Sequence, residues 1–74
     1  MTTYQGHRSW NAWNVALWIA NDYPTYSFAR MCLQGHTLNA ATRAFMYVFG
    51  GTKTPDGATY NATCVREALA GLDD

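Results

Sequence analysis

Charged side chains are scarce in this 74-residue sequence, and neither sign is in excess. Five basic and five acidic residues make up 14% of the chain and leave a formal net charge of zero at pH 7. A general binder of nucleic acid or of anionic membranes carries a basic excess, and an acidic mimic of DNA carries the opposite. The composition excludes a DNA mimic and removes the long-range attraction that a general polyanion binder needs.

Long apolar runs are missing as well. A membrane-spanning helix needs about 20 consecutive apolar residues, and asparagines at 11, 14 and 21 interrupt the most hydrophobic stretch. The N-terminal residues up to Arg8 are polar, and no small-residue cleavage site follows an apolar segment, as a secretory signal peptide would require. We therefore expect a cytoplasmic protein with no membrane contact.

Residues that commonly carry chemistry are also few. Cys32 and Cys64 are too few for a disulfide scaffold, and roles as small buried hydrophobic side chains are favoured over a disulfide or a reactive thiol. His7 and His36 have no cysteine or carboxylate at metal-ligand spacing. No nucleophile elbow or phosphate-binding glycine loop is present. The sequence therefore predicts no enzyme activity, no cofactor and no metal site.

The apolar half of the sequence is sufficient for a small core. Apolar residues make up 49% of the chain, and a chain of this length buries about 60% of the surface that its unfolded form exposes. No linker, repeat or low-complexity segment divides the sequence. We expect residues 1–74 to form one domain.

Four helical segments are delimited by the residues that flank them. A residue that can cap a helix start precedes each segment, namely Ser9, Asp22 or Tyr23, Thr37 and Asn61. Pro24 suits the first turn of the second helix, and Gly35 and the pair Gly50 and Gly51 end the second and third helices. The first helix is predicted over about residues 10–21.

Each segment has apolar residues at helical spacing. In the first helix they are Trp10, Trp13, Leu17 and Ala20. In the second they are Phe28, Ala29, Cys32 and Leu33. The third has the clearest stripe, and we expect burial of Leu38, Ala41, Phe45, Val48 and Phe49. The last helix has one apolar face, formed by Val65, Ala68, Leu69 and Leu72.

Turn chemistry separates the last two helices. In residues 52–57, TKTPDG, proline fixes the first corner and Gly57 can adopt a positive φ. A short hairpin over residues 52–60 is compatible with this segment but not required. The sequence thus predicts an all-α fold, a compact bundle of three to four short helices with a turn or small hairpin between the last two. We expect the turn to hold the fourth helix against the third.

The first helix has a narrow polar stripe with a tryptophan near its middle. At about 100° per residue, the stripe occupies about a third of the circumference and consists of Asn11, Asn14, Trp18, Asn21 and Asp22. A tryptophan among asparagines has the composition of a protein-binding hot spot. Alternatively, this helix is central in the bundle, its tryptophans belong to the core, and its asparagines bond adjacent loops.

Two tyrosines follow this stripe, on the turn after the first helix. Tyrosine suits half-buried interfaces, so Tyr23 and Tyr26 would extend the surface around Trp18. A structural role in stapling the corner between the first two helices fits them equally. On the first interpretation the predicted partner-binding residues are Asn11, Asn14, Trp18, Asn21, Tyr23 and Tyr26.

Nucleic-acid recognition is disfavoured. A helix-turn-helix motif has a turn of about three or four residues, whereas residues 50–60 separate the last two predicted helices. The last helix offers one cation, Arg66, beside Glu67. A basic patch would form only if the fold gathered Arg8, Arg30, Arg43 and Lys53.

Two segments resemble known sequences. Residues 9–22, SWNAWNVALWIAND, with Tyr26 following, resemble the leading motif of a family of small uncharacterised proteins encoded by phages and other mobile elements. Residues 50–57, GGTKTPDG, are similar to a second segment of some of these proteins. Together they cover about a third of the chain. The resemblance implies a genomic setting and supplies no catalytic residue.

That setting implies a class of function. Small single-domain phage proteins often bind a host protein, and anti-CRISPR and other counter-defence proteins are prominent among them, which is an analogy of class. We therefore expect a non-enzymatic protein-interaction module in the bacterial cytoplasm that sterically blocks a host immune protein, with a CRISPR–Cas component as one candidate. The alternatives are a small nucleic-acid-associated regulatory protein and a homodimer with a self-complementary aromatic face.

Overall fold

The computed structural model describes residues 9–73, and over this range the chain forms four helices joined by short connections. They are α1 (Trp10–Asn21), α2 (Tyr23–Leu33), α3 (Leu38–Phe49) and α4 (Ala62–Asp73). The described range contains no β-strand, although Lys53 and Thr59 form one isolated antiparallel bridge. None of these helices combines the length and hydropathy needed to cross a membrane. The predicted all-α bundle is confirmed, and His7 and Arg8 lie outside the described residues.

Side-chain caps start the helices at the predicted positions. Ser9, Asp22, Thr37 and Asn61 each accept a hydrogen bond from the backbone N–H three residues later. Each bond satisfies a donor that the first helical turn leaves without an intrahelical partner. The helix starts are therefore encoded locally, by one residue each.

Asp22 alone joins α1 to α2. Its backbone N–H donates to the carbonyl of Trp18 at the end of α1, and its carboxylate accepts a hydrogen bond from the Thr25 hydroxyl, at 2.6 Å, in the first turn of α2. Pro24 lies in that first turn, where a missing N–H costs no intrahelical bond. Because one residue ends α1 and caps α2, no further linker residue separates the two helices.

The four helices pack as a ring in chain order. Contacts join α1 to α2, α2 to α3, α3 to α4 and α4 back to α1, and a smaller contact joins α2 to α4 across the middle. α1 and α3 lie diagonally opposite, and their backbones do not approach each other closely. The core inside the ring consists of thirteen buried residues, namely Ala12, Val15, Ile19, Ala29, Cys32, Ala41, Phe45, Ala58, Tyr60, Cys64, Val65, Ala68 and Leu69.

Four aromatic rings meet inside the bundle. The Phe45 ring lies 5.6 Å from Phe28, 4.6 Å from Phe49 and 5.9 Å from Tyr60, between ring centroids. Phe49 also stacks on Tyr60 at 5.2 Å. Pairs of this kind contribute about 0.5–1.5 kcal/mol beyond their area burial. Since Tyr60 belongs to the connection between α3 and α4, the cluster ties that connection to α2 and α3.

The buried face of α3 is narrower than its apolar stripe. The prediction that Val48 is buried is wrong, because its side chain is 54% exposed. Ala41 and Phe45 are fully buried on the same helix. Val48 lies at the edge of the buried arc, beside the gap between α2 and α3.

In α1, too, the largest apolar side chains do not form the buried face. The buried side chains of this helix are Ala12, Asn14, Val15 and Ile19. Trp10 and Leu17 are exposed, and Leu17 lines a groove between α1 and α4. The spacing of the tryptophans correctly indicates a helix, yet smaller side chains fill the core because α1 packs closely on both of its neighbours.

A pair of substitutions on α3 tests this division of the helix. Phe45→Ala should destabilise the fold by about 3–5 kcal/mol, because it removes the ring at the centre of the aromatic cluster. Val48→Ala should cost less than about 1 kcal/mol, because the side chain is half in solvent. Urea denaturation of both variants measures the difference, and equal losses would contradict the assigned edge position of Val48.

Candidate functional site

The polar stripe of α1 binds the loop between α3 and α4. We call residues 52–60 the clamp loop. Asn11, Asn14 and Trp18 lie on one face of α1, since they are three and four residues apart, and all three side chains donate hydrogen bonds to this loop. The stripe is therefore an internal docking site for a segment about 40 residues further along the chain.

The Asn11 side chain acts as a strand partner for Thr59. Its Nδ2 donates to the Thr59 carbonyl at 2.9 Å, and its Oδ1 accepts from the Thr59 N–H at 2.8 Å. Both backbone groups of one loop residue are thus paired, as a residue in an antiparallel ladder would be. The amide fixes the register of the loop along α1.

Asn14 provides the buried centre of the clamp. Its side chain is 1% exposed, its Oδ1 accepts from the Thr54 hydroxyl at 2.6 Å, and its Nδ2 donates to the Asp56 carboxylate at 2.9 Å. Thr54 Oγ1 in turn accepts from the Ala58 N–H at 3.0 Å. Within the described range no buried side-chain nitrogen or oxygen lacks a partner. Both polar atoms of the buried amide therefore have a partner, which is what makes its burial tolerable.

Asp56 receives two donors from α1 on one oxygen. The Nδ2 of Asn14 and the indole Nε1 of Trp18, at 3.0 Å, both donate to Oδ2. These bonds, that from Asn14 first, hold the pKa of Asp56 below its usual range, and a smaller desolvation effect opposes them. Hydrogen bonds to the ionised form favour it, so the loop is docked best when Asp56 is charged.

The clamp loop is itself a tight turn. The Gly57 N–H donates to the Thr54 carbonyl, and the Thr54 N–H donates to the Ala58 carbonyl, both at 2.8 Å. Gly57 has φ of 97°, which confirms the predicted positive φ and which side chains rarely adopt. Thr54 and Asp56 of this turn bond to α1, whereas the Thr52 hydroxyl at the start of the loop donates to the Phe49 carbonyl of α3. That the turn holds α4 against α3 stays a prediction.

The structure separates the six predicted partner-binding residues into two groups. Asn11, Asn14 and Trp18 are bonded to the clamp loop, which matches the alternative in which the asparagines bond an adjacent loop. Asn21 donates to the carbonyl of Leu17 in its own helix. Tyr23 is 77% exposed at the corner after α1, and Tyr26 is partly buried. A contact of these residues with a partner stays a prediction.

An apolar groove between α2 and α3 is the surface that sequence reasoning missed. It is open to solvent and has a volume of about 560 Å³. On its walls Tyr47 is 93% exposed and Met31 is 64% exposed, with Val48 beside them. The available signal was that Met31 and Tyr47 belong to neither predicted buried face, which left two large apolar side chains without a place in the core.

A second, polar groove of about 490 Å³ lies between α3 and α4. Asn39 and Thr42 line it from α3, and Thr63 and Arg66 line it from α4. Arg43 lines both this groove and the α2–α3 groove. The exposed side of α3 therefore joins an apolar surface to a basic one.

Both cysteines lie in the core of the bundle. Cys32 and Cys64 are free and buried, as predicted, and burial raises the pKa of the Cys32 thiol, which keeps it protonated at neutral pH. No three histidine, cysteine, aspartate or glutamate side chains between residues 9 and 73 are placed to hold a metal ion.

Fold and surface define a small helical bundle with a clamped loop and an exposed groove. The chain belongs to a family of unknown function, DUF7249, whose model matches residues 1–70. No match was found among the curated proteins or among the solved structures. The family description names no activity.

The clamp predicts a sharp difference between two asparagines on the same stripe. Asn14→Ala should destabilise the fold by about 2–4 kcal/mol, because it leaves the buried Thr54 hydroxyl without its acceptor and removes one hydrogen-bond donor to Asp56. Asn21→Ala should change stability by no more than about 0.5 kcal/mol, because its amide is exposed and bonds only its own helix. Chemical denaturation gives both values, and a mild effect at Asn14 would contradict the clamp.

Acid should loosen the clamp through Asp56. Because its pKa is lower in the folded state than in the unfolded chain, its contribution is present above the unfolded pKa of about 3.9 and is lost as the pH falls through the folded value. The melting temperature of the native protein should therefore approach that of Asp56→Asn as the pH falls from 7 to about 2.5 at constant salt. The asparagine keeps an acceptor oxygen but does not titrate. A difference between the two proteins that does not change with pH would contradict the assignment.

Proposed function

We propose that this protein is a non-enzymatic binding module that attaches to a partner protein through the α2–α3 groove. The observation that carries the proposal is the exposure of Tyr47, Met31 and Val48 around that one groove. Tyrosine and methionine are enriched in protein interfaces, and a rigid aromatic ring in a groove is a common anchor of binding energy. A surface of this composition gains free energy when a partner covers it.

The scaffold suits binding without movement. Tyr47 and Val48 lie on α3 and Met31 on α2, and these helices are held by the aromatic cluster beneath them. Because the side chains of the groove are carried by packed helices, little order has to be gained when a partner binds. The protein would act by occupying a surface of the partner and excluding its normal ligand.

The resemblance of residues 9–22 and 50–57 to phage-encoded proteins supports a narrower proposal. Stoichiometric binding is the usual mode of small counter-defence proteins, so the partner would be a bacterial immune protein in the cytoplasm, with a CRISPR–Cas component as one candidate. This step rests on analogy of class. The groove supplies the contact that such an inhibitor requires.

Two exposed tyrosines allow a direct test. The partner is captured from a lysate of the host bacterium, identified by mass spectrometry and purified for titration calorimetry. Tyr47→Ala should weaken its binding by about 2 kcal/mol or more, because an anchor in the groove is lost. Tyr23→Ala is the matched control and should have little effect.

Both tyrosines are largely in solvent, so neither substitution should change the melting temperature. If Tyr23→Ala weakened binding and Tyr47→Ala did not, the contact surface would be the corner after α1 and the proposal for the α2–α3 groove would fail.

A further inference from the structure

Arg43 lies where the two grooves of α3 meet. It lines the apolar α2–α3 groove together with Tyr47 and the polar α3–α4 groove together with Arg66. Its side chain is exposed, and between residues 9 and 73 it makes no hydrogen bond or ion pair. A guanidinium carries five N–H donors in a planar fork, and here all five are available to a ligand.

Arg66 is placed on the other wall of the polar groove and is already oriented. Its Nε donates to Asn39 Oδ1 at 2.9 Å. This bond uses one of the five donors and restrains the guanidinium, so the two Nη groups are left to pair with an anion. A restrained guanidinium loses less side-chain entropy when it binds a carboxylate in the two-pronged geometry that arginine favours.

The charges of the described surface are unevenly distributed. Asp22 caps α2, Asp56 is bonded to α1, and Glu67 lies on the groove between α1 and α4. Among the described side chains, no carboxylate lines either groove beside α3. The protein has no net charge, yet this side of it is locally positive and apolar at once.

We propose that the surface formed by Met31, Arg43, Tyr47, Val48 and Arg66, the α3 face, binds a partner-protein segment that presents carboxylates beside apolar side chains. The inference rests on the proposed function and specifies the chemistry of the partner. The apolar side chains would fill the α2–α3 groove, and the carboxylates would pair with Arg43 and Arg66. Charge complementarity across an interface of this kind fixes register and suppresses wrong partners.

Two other occupants fit the α3 face less well. A second copy docked by two-fold symmetry about Arg43 would bring like charges together, since no described carboxylate of this face could pair with them. A nucleic acid is held by a series of phosphate contacts, whereas this face offers two guanidiniums beside an apolar groove. An acidic and apolar protein segment matches both halves of the surface.

The test uses fluorescein-labelled peptides and the full chain. One peptide repeats the unit Glu-Glu-Leu-Tyr, and its control repeats Gln-Gln-Leu-Tyr, so that only the carboxylates differ. We expect the acidic peptide to bind about tenfold more tightly in fluorescence anisotropy at physiological salt, as paired guanidinium–carboxylate bonds imply. Arg43→Gln and Arg66→Gln should each remove most of that preference.

Lys53→Gln is the matched charge control, because it removes one exposed positive charge from the clamp loop. It should change the affinity by less than about twofold. An equal loss in Lys53→Gln and Arg43→Gln would overturn the inference by showing an effect of net charge alone. Equal affinity for the two peptides would overturn it as well, and so would failure of the acidic peptide to bind.

Four further outcomes separate the two proposals and the other occupants. Binding of the glutamine peptide that is lost in Tyr47→Ala would keep the proposed groove and reject the acidic partner. If either peptide bound Tyr47→Ala as tightly as the native protein, the α2–α3 groove would not be the binding site. If oligothymidylate bound more tightly than the acidic peptide and Arg43→Gln abolished that binding, the occupant would be nucleic acid and not a protein segment. If the protein dimerised in sedimentation and Arg43→Gln abolished the dimer, the occupant would be a second copy.

Discussion

The buried amide of Asn14 is the interaction on which the arrangement of the bundle depends. An amide in the interior is costly unless each of its groups is paired, and the partners of this one, Thr54 and Asp56, come from the loop that links α3 to α4. The pairing therefore sets where that loop lies. The position of Tyr60 also depends on this pairing, because the loop places the Tyr60 ring against Phe45 and Phe49. A polar contact thus determines how part of the apolar core is filled.

Local features of the fold were predictable because single residues encode them. Ser9, Thr37 and Asn61 cap their helices through bonds that span three residues, and Gly57 adopts the backbone angle that its turn chemistry indicates. The four-helix, all-α class follows from these signals and from apolar spacing. Nothing in them depends on how the helices pack.

The candidate site was less predictable, because it depends on packing between distant segments. The sequence shows a polar stripe with Trp18 at its middle, and a stripe looks the same whether it faces a partner or a loop of its own chain. Only the fold shows that Asp56 accepts the Trp18 indole. Conversely, the apolar spacing leaves Tyr47 off the predicted buried stripe of α3, but it does not show that Tyr47 and Met31 line one groove, because that depends on how α2 packs on α3. Residues 9–22 and 50–57 contribute the two sides of the clamp, through Asn14 and Trp18 on one side and Thr54 and Asp56 on the other.

The distance along the chain between the two halves of the clamp has a consequence for synthesis on the ribosome. α1 emerges first, but the partners of Asn14 and Asn11 lie 40 and 48 residues later. Until Thr59 has left the exit tunnel, the amides of Asn11 and Asn14 lack these partners and bond water. The hydrogen bonds that hold α1 against the clamp loop cannot form before that point. Synthesis must therefore proceed through the clamp loop before α1 can be secured, so the helix and the loop complete their folding together rather than element by element.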